Sequence, residues 1–279
     1  MPRTDCDYLT KIIHFLCNKE QWPPLITNDK TSLDNKNNNL HKIFENLTNA
    51  DYGRFIHYLA LSSVKDYLLD CRSVIKTMVM AKLFAQAKDY NSLPNVTCMT
   101  TDQANDLAPN LVVRWAIIET LFGQTLIASL NNNICAIFFV EKYGLAGALM
   151  RLQKQWPGVH IQHDQSITQL FVPVLQKIFR GDKNQHPQVI LKGTEFQFII
   201  WKTLMCIPDG LVLSYGDLAS LSGYTKAYRA VGTAVGQNPI AYLIPCHRVI
   251  KASGALGQYH WGREQKQVML AMERARCKH

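Results

Sequence analysis

The chain has 279 residues, a formal net charge of +9, and 47% hydrophobic against 18% charged side chains, enough for two or three domains with buried cores. This composition excludes wholesale disorder, and no apolar run approaches the roughly 18 residues of a membrane span. No collagen, heptad or long-repeat period is present; the opening MPRTDCDYLT lacks an apolar signal core, and eight cysteines without a C-x-x-C pair suit reduced thiols, so a cytoplasmic protein is expected.

In chain order, residues 1–103 read as helical. Leu9, Ile12, Ile13 and Leu16 recur at helical spacing within Tyr8–Lys19, and Leu40–Leu47 and Tyr52–Leu69 share the period. Between them TNDKTSLDNKNNNL is polar and Asn-rich and predicts a loop or a poorly formed helix. Asp89–Asp106 is polar, contains Pro94, and is where a linker is expected. Residues 107–190 begin with strand-like runs at Val112–Leu121, Gln124–Leu130 and Ile134–Glu141, separated by Gly123 and Asn131–Asn133, which predicts an antiparallel meander. Amphipathic helices follow at Leu145–Trp156 and Ile167–Arg180, making an α+β unit.

Residues 191–279 read as helical and punctuated. Thr194-Glu-Phe-Gln197 fits a capping box, and Pro208-Asp209-Gly210 is a turn triplet. Ser214 can cap a helix that runs to Leu221, Gly223 ends it, and a further helix from Lys226 to Gln237 stops at Asn238-Pro239. Two short helices with a glycine-containing turn between them predict a helix-turn-helix.

Charge is concentrated in the same third. Residues 1–103 carry 12 basic and 11 acidic side chains, residues 104–189 carry 7 and 5, and residues 190–279 carry 11 and 5. A basic C-terminal third points to a polyanion such as nucleic acid, although solvated charge alone would look the same. The Lys226–Gln237 helix is slender, with Ala227, Ala230, Gly232, Ala234 and Gly236. Each helical glycine costs about 1 kcal/mol against alanine, so close approach to another surface should compensate. That surface is either a nucleic-acid groove, with Arg229 projecting into it, or a neighbouring helix.

Next, an apolar run delivers Pro245-Cys246-His247-Arg248. Pro245 stiffens the approach, and two potentially cationic neighbours should favour the thiolate, which is the nucleophile. His247 is the expected base, reached through a turn or a bridging water, and Glu273 in a C-terminal helix (Glu264–Ala275) is the carboxylate expected to orient it. A buried structural thiol beside a satisfied histidine remains the alternative on these residues alone. A cysteine hydrolase fits less well, because such enzymes take their base from a distant part of the sequence.

Residues 193–273 resemble the active domain of O6-alkylguanine-DNA alkyltransferases, the methylated-DNA–protein-cysteine methyltransferases. The matching stretches are Gly193-Thr-Glu-Phe-Gln197, Ile207-Pro-Asp-Gly210, Ser214-Tyr-Gly-Asp-Leu-Ala219, Arg229-Ala-Val-Gly232, Asn238-Pro239, Pro245-Cys-His-Arg-Val249, Gly257-Gln-Tyr-His-Trp-Gly262 and Glu273. The resemblance implies base flipping and irreversible, single-turnover transfer of the alkyl group from O6-alkylguanine, and by extension O4-alkylthymine, to Cys246. His247 would take the thiol proton through a water and Glu273 would hold the imidazole. Tyr215 would donate to the departing base. Arg229 would fill the vacated place in the stack, with Ala227, Tyr228, Gly232, Thr194 and Asn238 at the DNA face. Asn238, Pro245, the Val249 carbonyl, Tyr259 and His260 would form the base pocket. The partner implied is double-stranded DNA carrying the lesion, bound by a monomer away from any membrane, with neither metal nor organic cofactor. Gln258 and His260 depart from the family pattern, so the pocket loop is expected to differ.

Residues 107–190 look like the family's RNase-H-like subdomain, ahead of a winged-helix-like domain at 191–279. Gly53–Val74 resembles the connecting helix of an AraC-type DNA-binding domain, as fused in Ada-type proteins. Its recognition helices would fall near Asn37–Phe44 and Phe84–Leu93, and both read as degenerate. The alternative implied is an Ada-type transcriptional regulator that uses alkyl transfer as a sensor. Residues 107–279 are expected to act without the N-terminal region.

Overall fold

A computed structural model describes residues 34–60, 95–182 and 184–277. The expected helix at Tyr8–Lys19, the continuation of the AraC-like helix beyond residue 60 and the stretch Phe84–Leu93 lie outside the described residues. Helix α1 spans Asp34–Thr48, so the described part of the Asn-rich run expected as a loop or a poorly formed helix, from Asp34 on, is helical. The apolar side chains of the second half anchor it: Phe44 is buried against Phe55 of α2 (Tyr52–Ala60), with ring centroids 4.8 Å apart. Tertiary packing of one face outweighs weak asparagine propensity.

The linker expectation is also overturned over its described part. Val96–Thr100 is strand β1, followed by helix α3 (Thr101–Leu107), which Thr100 and Gln103 close with a reciprocal capping box. Three consecutive β-compatible residues, Val96, Thr97 and Cys98, pair parallel with Val189, Ile190 and Leu191 of β6 (Val189–Gly193). The meander is as expected: β2 (Val112–Thr120), β3 (Gly123–Leu130) and β4 (Asn133–Phe139) are antiparallel neighbours. With β5 (His160–His163) they complete a six-stranded sheet in the order β1-β6-β4-β3-β2-β5. Helices α4 (Gly144–Gln155) and α5 (Ile167–Phe179) match the amphipathic segments, and α5 packs on β2.

The sheet runs directly into the helical part. Gly193 ends β6 and Thr194 caps α6 (Glu195–Met205), its hydroxyl accepting the Gln197 N–H at 3.3 Å. The short strand β7 (Leu213–Ser214) leads into α7 (Tyr215–Leu221), where Ser214 and Asp217 form a second capping box. Helix α8 (Tyr228–Gly236) follows a turn at Gly223, and β8 (Val249–Ile250) pairs with β7. Helix α9 (Arg263–Arg276) closes the chain order. The N-terminal helices pack against it: Arg276 Nε donates to the Thr48 carbonyl at 2.9 Å and Gln267 Nε2 to the Leu59 carbonyl at 2.5 Å.

This packing changes the expectation for residues 107–279. A chain beginning there lacks β1 and uncovers the face of α9 on which Phe55 and Leu59 are buried. Losing side chains of this size lowers stability by about 1.5–3 kcal/mol each. We expect such a chain to melt roughly 10 °C or more below the full chain. Coincident thermal transitions would overturn this.

Candidate active site

The segment after α8 is held from both sides. Ile137 on β4 donates its N–H to the Pro239 carbonyl at 3.1 Å and accepts from Ala241 at 3.0 Å, so the sheet seats the run that precedes Cys246. Asn238 organises the turn. Its Oδ1 accepts the Ile240 N–H at 2.9 Å, and its Nδ2 donates to the Ile244 carbonyl at 2.8 Å and to Cys246 Sγ at 3.0 Å. Two three-residue turns follow. Leu243 N–H bonds to the Ala241 carbonyl around Tyr242 at φ +69°, and Cys246 N–H bonds to Ile244 around Pro245 at φ −80°, ψ 61°. The second is the common inverse γ-turn that proline suits, and the first is of the rarer, strained hand. Cys246, His247 and Arg248 then form one 3-10 turn.

Cys246 faces a cavity of about 570 Å³. Tyr215, Gly232 and Val235 line one wall, and Tyr259, His260 and Trp261 another, with Asn238 and Lys266 also exposed to it. Gly232 sits against Tyr215, since a Cβ there would lie 3.7 Å from the ring, which accounts for part of the slenderness of α8 within the protein itself. Tyr228, Arg229, Ala230, Thr233 and Gly236 are exposed on the same helix, beside the cavity mouth, and Ala227 is half-buried. Thr194 is exposed at its cap, where Gln197 Nε2 reaches Gln237 Oε1 at 2.6 Å. The structure therefore brings Cys246, Tyr215, Asn238, Tyr259 and His260 together. Pro245 and Val249 are buried beside Cys246 and are not among the residues that line this cavity, and the Val249 carbonyl accepts Lys266 Nζ at 2.5 Å.

Behind the thiol lies a closed polar network. His247 Nε2 and Glu273 Oε1 are 2.7 Å apart, both side chains without solvent exposure. Arg248 donates to Glu273 through Nε at 3.0 Å and Nη2 at 2.7 Å, and also reaches the Asp209 carboxylate and the Ile207 carbonyl. The Gly210 N–H donates to Glu273 Oε2 at 3.2 Å. Burial works against ionisation of Glu273, but Arg248 and then His247 outweigh it and hold the carboxyl well below the usual range. Burial lowers the His247 pKa, only partly opposed by Glu273, whose charge is already matched by Arg248. The imidazole is thus neutral near pH 7. With Nε2–H donating to Glu273, Nδ1 is the lone-pair nitrogen, and it has no hydrogen-bond partner among the described residues. That is the tautomer of a proton acceptor.

The expected lowering of the thiol pKa by its two neighbours is not met. Arg248 is spent on Glu273 and Asp209, His247 is neutral, and burial pushes the Cys246 thiol up. The Asn238 amide, the Tyr259 hydroxyl and Lys266 oppose that rise. Lys266, itself brought down to about 8 by burial, escaped the sequence reading. Its spacing of seven from Glu273 on one helix was the available signal, because that places both on the same buried face. Arg151 on α4 was also missed and had no local signal. It contacts His260 Nε2 at 2.9 Å and donates to the Asn238 carbonyl at 3.1 Å.

Residues 195–275 match the sequence model of a family described as 6-O-methylguanine DNA methyltransferase, DNA binding domain. The chain is 29% identical over 235 residues to the bifunctional transcriptional activator/DNA repair enzyme Ada of Escherichia coli, covering 84% of this chain and just under two thirds, 66%, of that protein. It is 33% identical to the inducible methylated-DNA–protein-cysteine methyltransferase of Bacillus subtilis, covering 57% of this chain and 83% of that one. A crystal structure of Mycobacterium tuberculosis O6-methylguanine methyltransferase superposes with a TM-score of 0.51 at 32% identity, covering 60% of this chain and 95% of that one. On this evidence the chain belongs to the methylated-DNA–protein-cysteine methyltransferase family.

Proposed function

We propose that the protein repairs duplex DNA by transferring the alkyl group of O6-alkylguanine to Cys246. The observation that carries this is a buried cysteine at the wall of a base-sized cavity, backed by a neutral histidine and flanked by an exposed, slender helix. An alkyl carbon inside a base stack is out of reach, so the nucleotide is extruded at a cost of a few kcal/mol. The Sγ–carbon bond forms as the carbon–O6 bond breaks, and the thiol proton passes through a water to His247 Nδ1. Tyr215, kept protonated by burial, supplies a proton to the leaving guanine. Sulfur, proton acceptor and proton donor all come from this chain. The thioether is not hydrolysed, so each molecule reacts once.

In this reading α7 and α8 are the helix-turn-helix and Arg229 occupies the place the base leaves. Residues 107–190 form an RNase-H-like support, and residues 34–60 are the described part of a degenerate AraC-type region. The regulator alternative draws on the likeness to the bifunctional Ada protein. A footprint by the full chain on its own promoter would favour it.

Intact mass after mixing with a duplex containing O6-methylguanine tests the proposal. One methyl gained per molecule, on the peptide carrying Cys246, is expected; several turnovers per molecule would overturn it. Arg229→Ala is expected to slow repair of a duplex by about tenfold to a hundredfold while sparing reaction with a short single strand, where no stack needs opening. Equal losses on both substrates would remove Arg229 from that role.

A further inference from the structure

Tyr242 takes no part in the reaction proposed above, yet the fold goes to some length to place it. It is a bulky residue in the left-handed region, at the centre of the rarer γ-turn, four residues before Cys246. Such conformations persist only where the surroundings over-determine them, and they gather at functional sites. The surroundings here are specific. The Tyr242 ring lies parallel to the His247 imidazole, with centroids 5.6 Å apart and planes inclined by 16°. Phe122, from the β2–β3 turn, and Phe179, at the end of α5, press on it at 5.1 Å and 5.0 Å. Its hydroxyl accepts from Arg276 Nη1 at 3.1 Å. Arg276 in turn donates Nε to the Thr48 carbonyl of α1 and Nη2 to the Phe179 carbonyl of α5 at 2.5 Å. One guanidinium on α9 thus ties the N-terminal helices and the sheet-packed helix to the ring that faces His247.

Glu273 holds only one nitrogen of His247. A single hydrogen bond fixes the tautomer but leaves the imidazole able to swing about that contact. A second, flat surface against the ring removes this freedom. We propose that Tyr242 is a positioning residue for His247, with Arg276 as its anchor, so that helix α1 helps to set the direction of the Nδ1 lone pair. The inference rests on the alkyl-transfer reading for its kinetic consequence, but not for its structural one.

The test uses the full chain labelled with 15N, reading the His247 imidazole signals, the single-turnover methyl-transfer rate and the affinity for lesion-free duplex. In Tyr242→Leu the His247 signals are expected to move and to show mixed tautomers. Transfer should slow by about tenfold, as a small misplacement of a reacting group does, with duplex affinity unchanged. Tyr242→Phe keeps the ring and is expected to restore both the signals and most of the rate. Arg276→Gln leaves the ring in the core and cuts only its anchor; it should shift the same signals and slow transfer by about threefold. If Tyr242→Leu does not fold, Arg276→Gln decides. Unmoved His247 signals in the folded variants overturn the proposal whatever the rates do. If the wild-type chain transfers no methyl group, the alkyl-transfer reading fails while the signals still judge Tyr242.

Discussion

Cys246→Ala is expected to end alkyl transfer completely, with no mass gain on any peptide after prolonged mixing with the methylated duplex. Among the described residues, the other cysteines do not substitute for it. Cys135 is wholly buried, with its pKa raised by burial well out of reach of neutral pH, and Cys98 and Cys206 are also pushed up by burial. Cys277 is tucked against the Asp209 and Glu273 carbonyls. None of these four lines the cavity that holds Tyr215 and Asn238. Binding to the lesion should survive, since the thiol contributes little area to the cavity and the exposed residues of α8 are untouched. The check is a binding isotherm alongside the mass measurement. Residual methylation of the variant would mean that the nucleophile lies elsewhere.

Glu273→Gln is expected to cost both stability and rate. The substitution removes the charge that answers Arg248, whose guanidinium is almost fully buried and keeps only Asp209 and the Ile207 carbonyl. Breaking one side of such a pair costs about 3–5 kcal/mol. For a domain of this size that lowers the Tm by roughly 10 °C. The glutamine amide keeps one acceptor oxygen where the carboxylate has two, so an NH2 group faces donors from His247 and Arg248 or from Arg248 and Gly210, the hold on the Nε2–H tautomer weakens, and transfer should fall by about a hundredfold. The pH dependence has a definite sign. The folded carboxyl is held below its unfolded value of about 4.3, so the wild-type advantage is complete above that pH and shrinks as pH falls through it. His247, lowered on folding, adds a stabilising contribution that is lost as pH drops below about 6.5. Melting curves of both proteins between neutral and acidic pH should therefore converge. A constant gap would contradict the assigned ionisation.

Much of this was legible in the sequence where the signal is local. The meander follows from runs of β-branched and apolar residues broken by Gly123 and Asn131–Asn133. The caps at Thr194 and Ser214 follow from side chains that reach three residues ahead. The pairing of His247 with Glu273 was legible because motif and spacing encode it. What failed was non-local. Val96–Thr100 is short and carries two threonines among its five residues, and becomes a strand only because β6 lies beside it some ninety residues later. Arg248 read as a helper of the thiol because it stands two residues away, but its partners Asp209 and Glu273 come from other elements. Arg151 acts through the Asn238 carbonyl, which leaves no trace in side-chain spacing, and Lys266 left only its place seven residues before Glu273 on one helix face.

The direct passage from β6 into α6 has a mechanical meaning. Gly193 is still in the sheet and Thr194 already caps the helix, while Ile137 grips the run before the thiol and Arg151 holds the Asn238 carbonyl. The cavity wall that carries Asn238 and Cys246 is thus braced against the sheet and α4. With that wall held, the bending and unstacking in the proposed reaction fall to the nucleic acid. Lesions flanked by easily kinked pyrimidine–purine steps should be cleared sooner than the same lesions inside stiff A-tracts, with the protein touching neither flank.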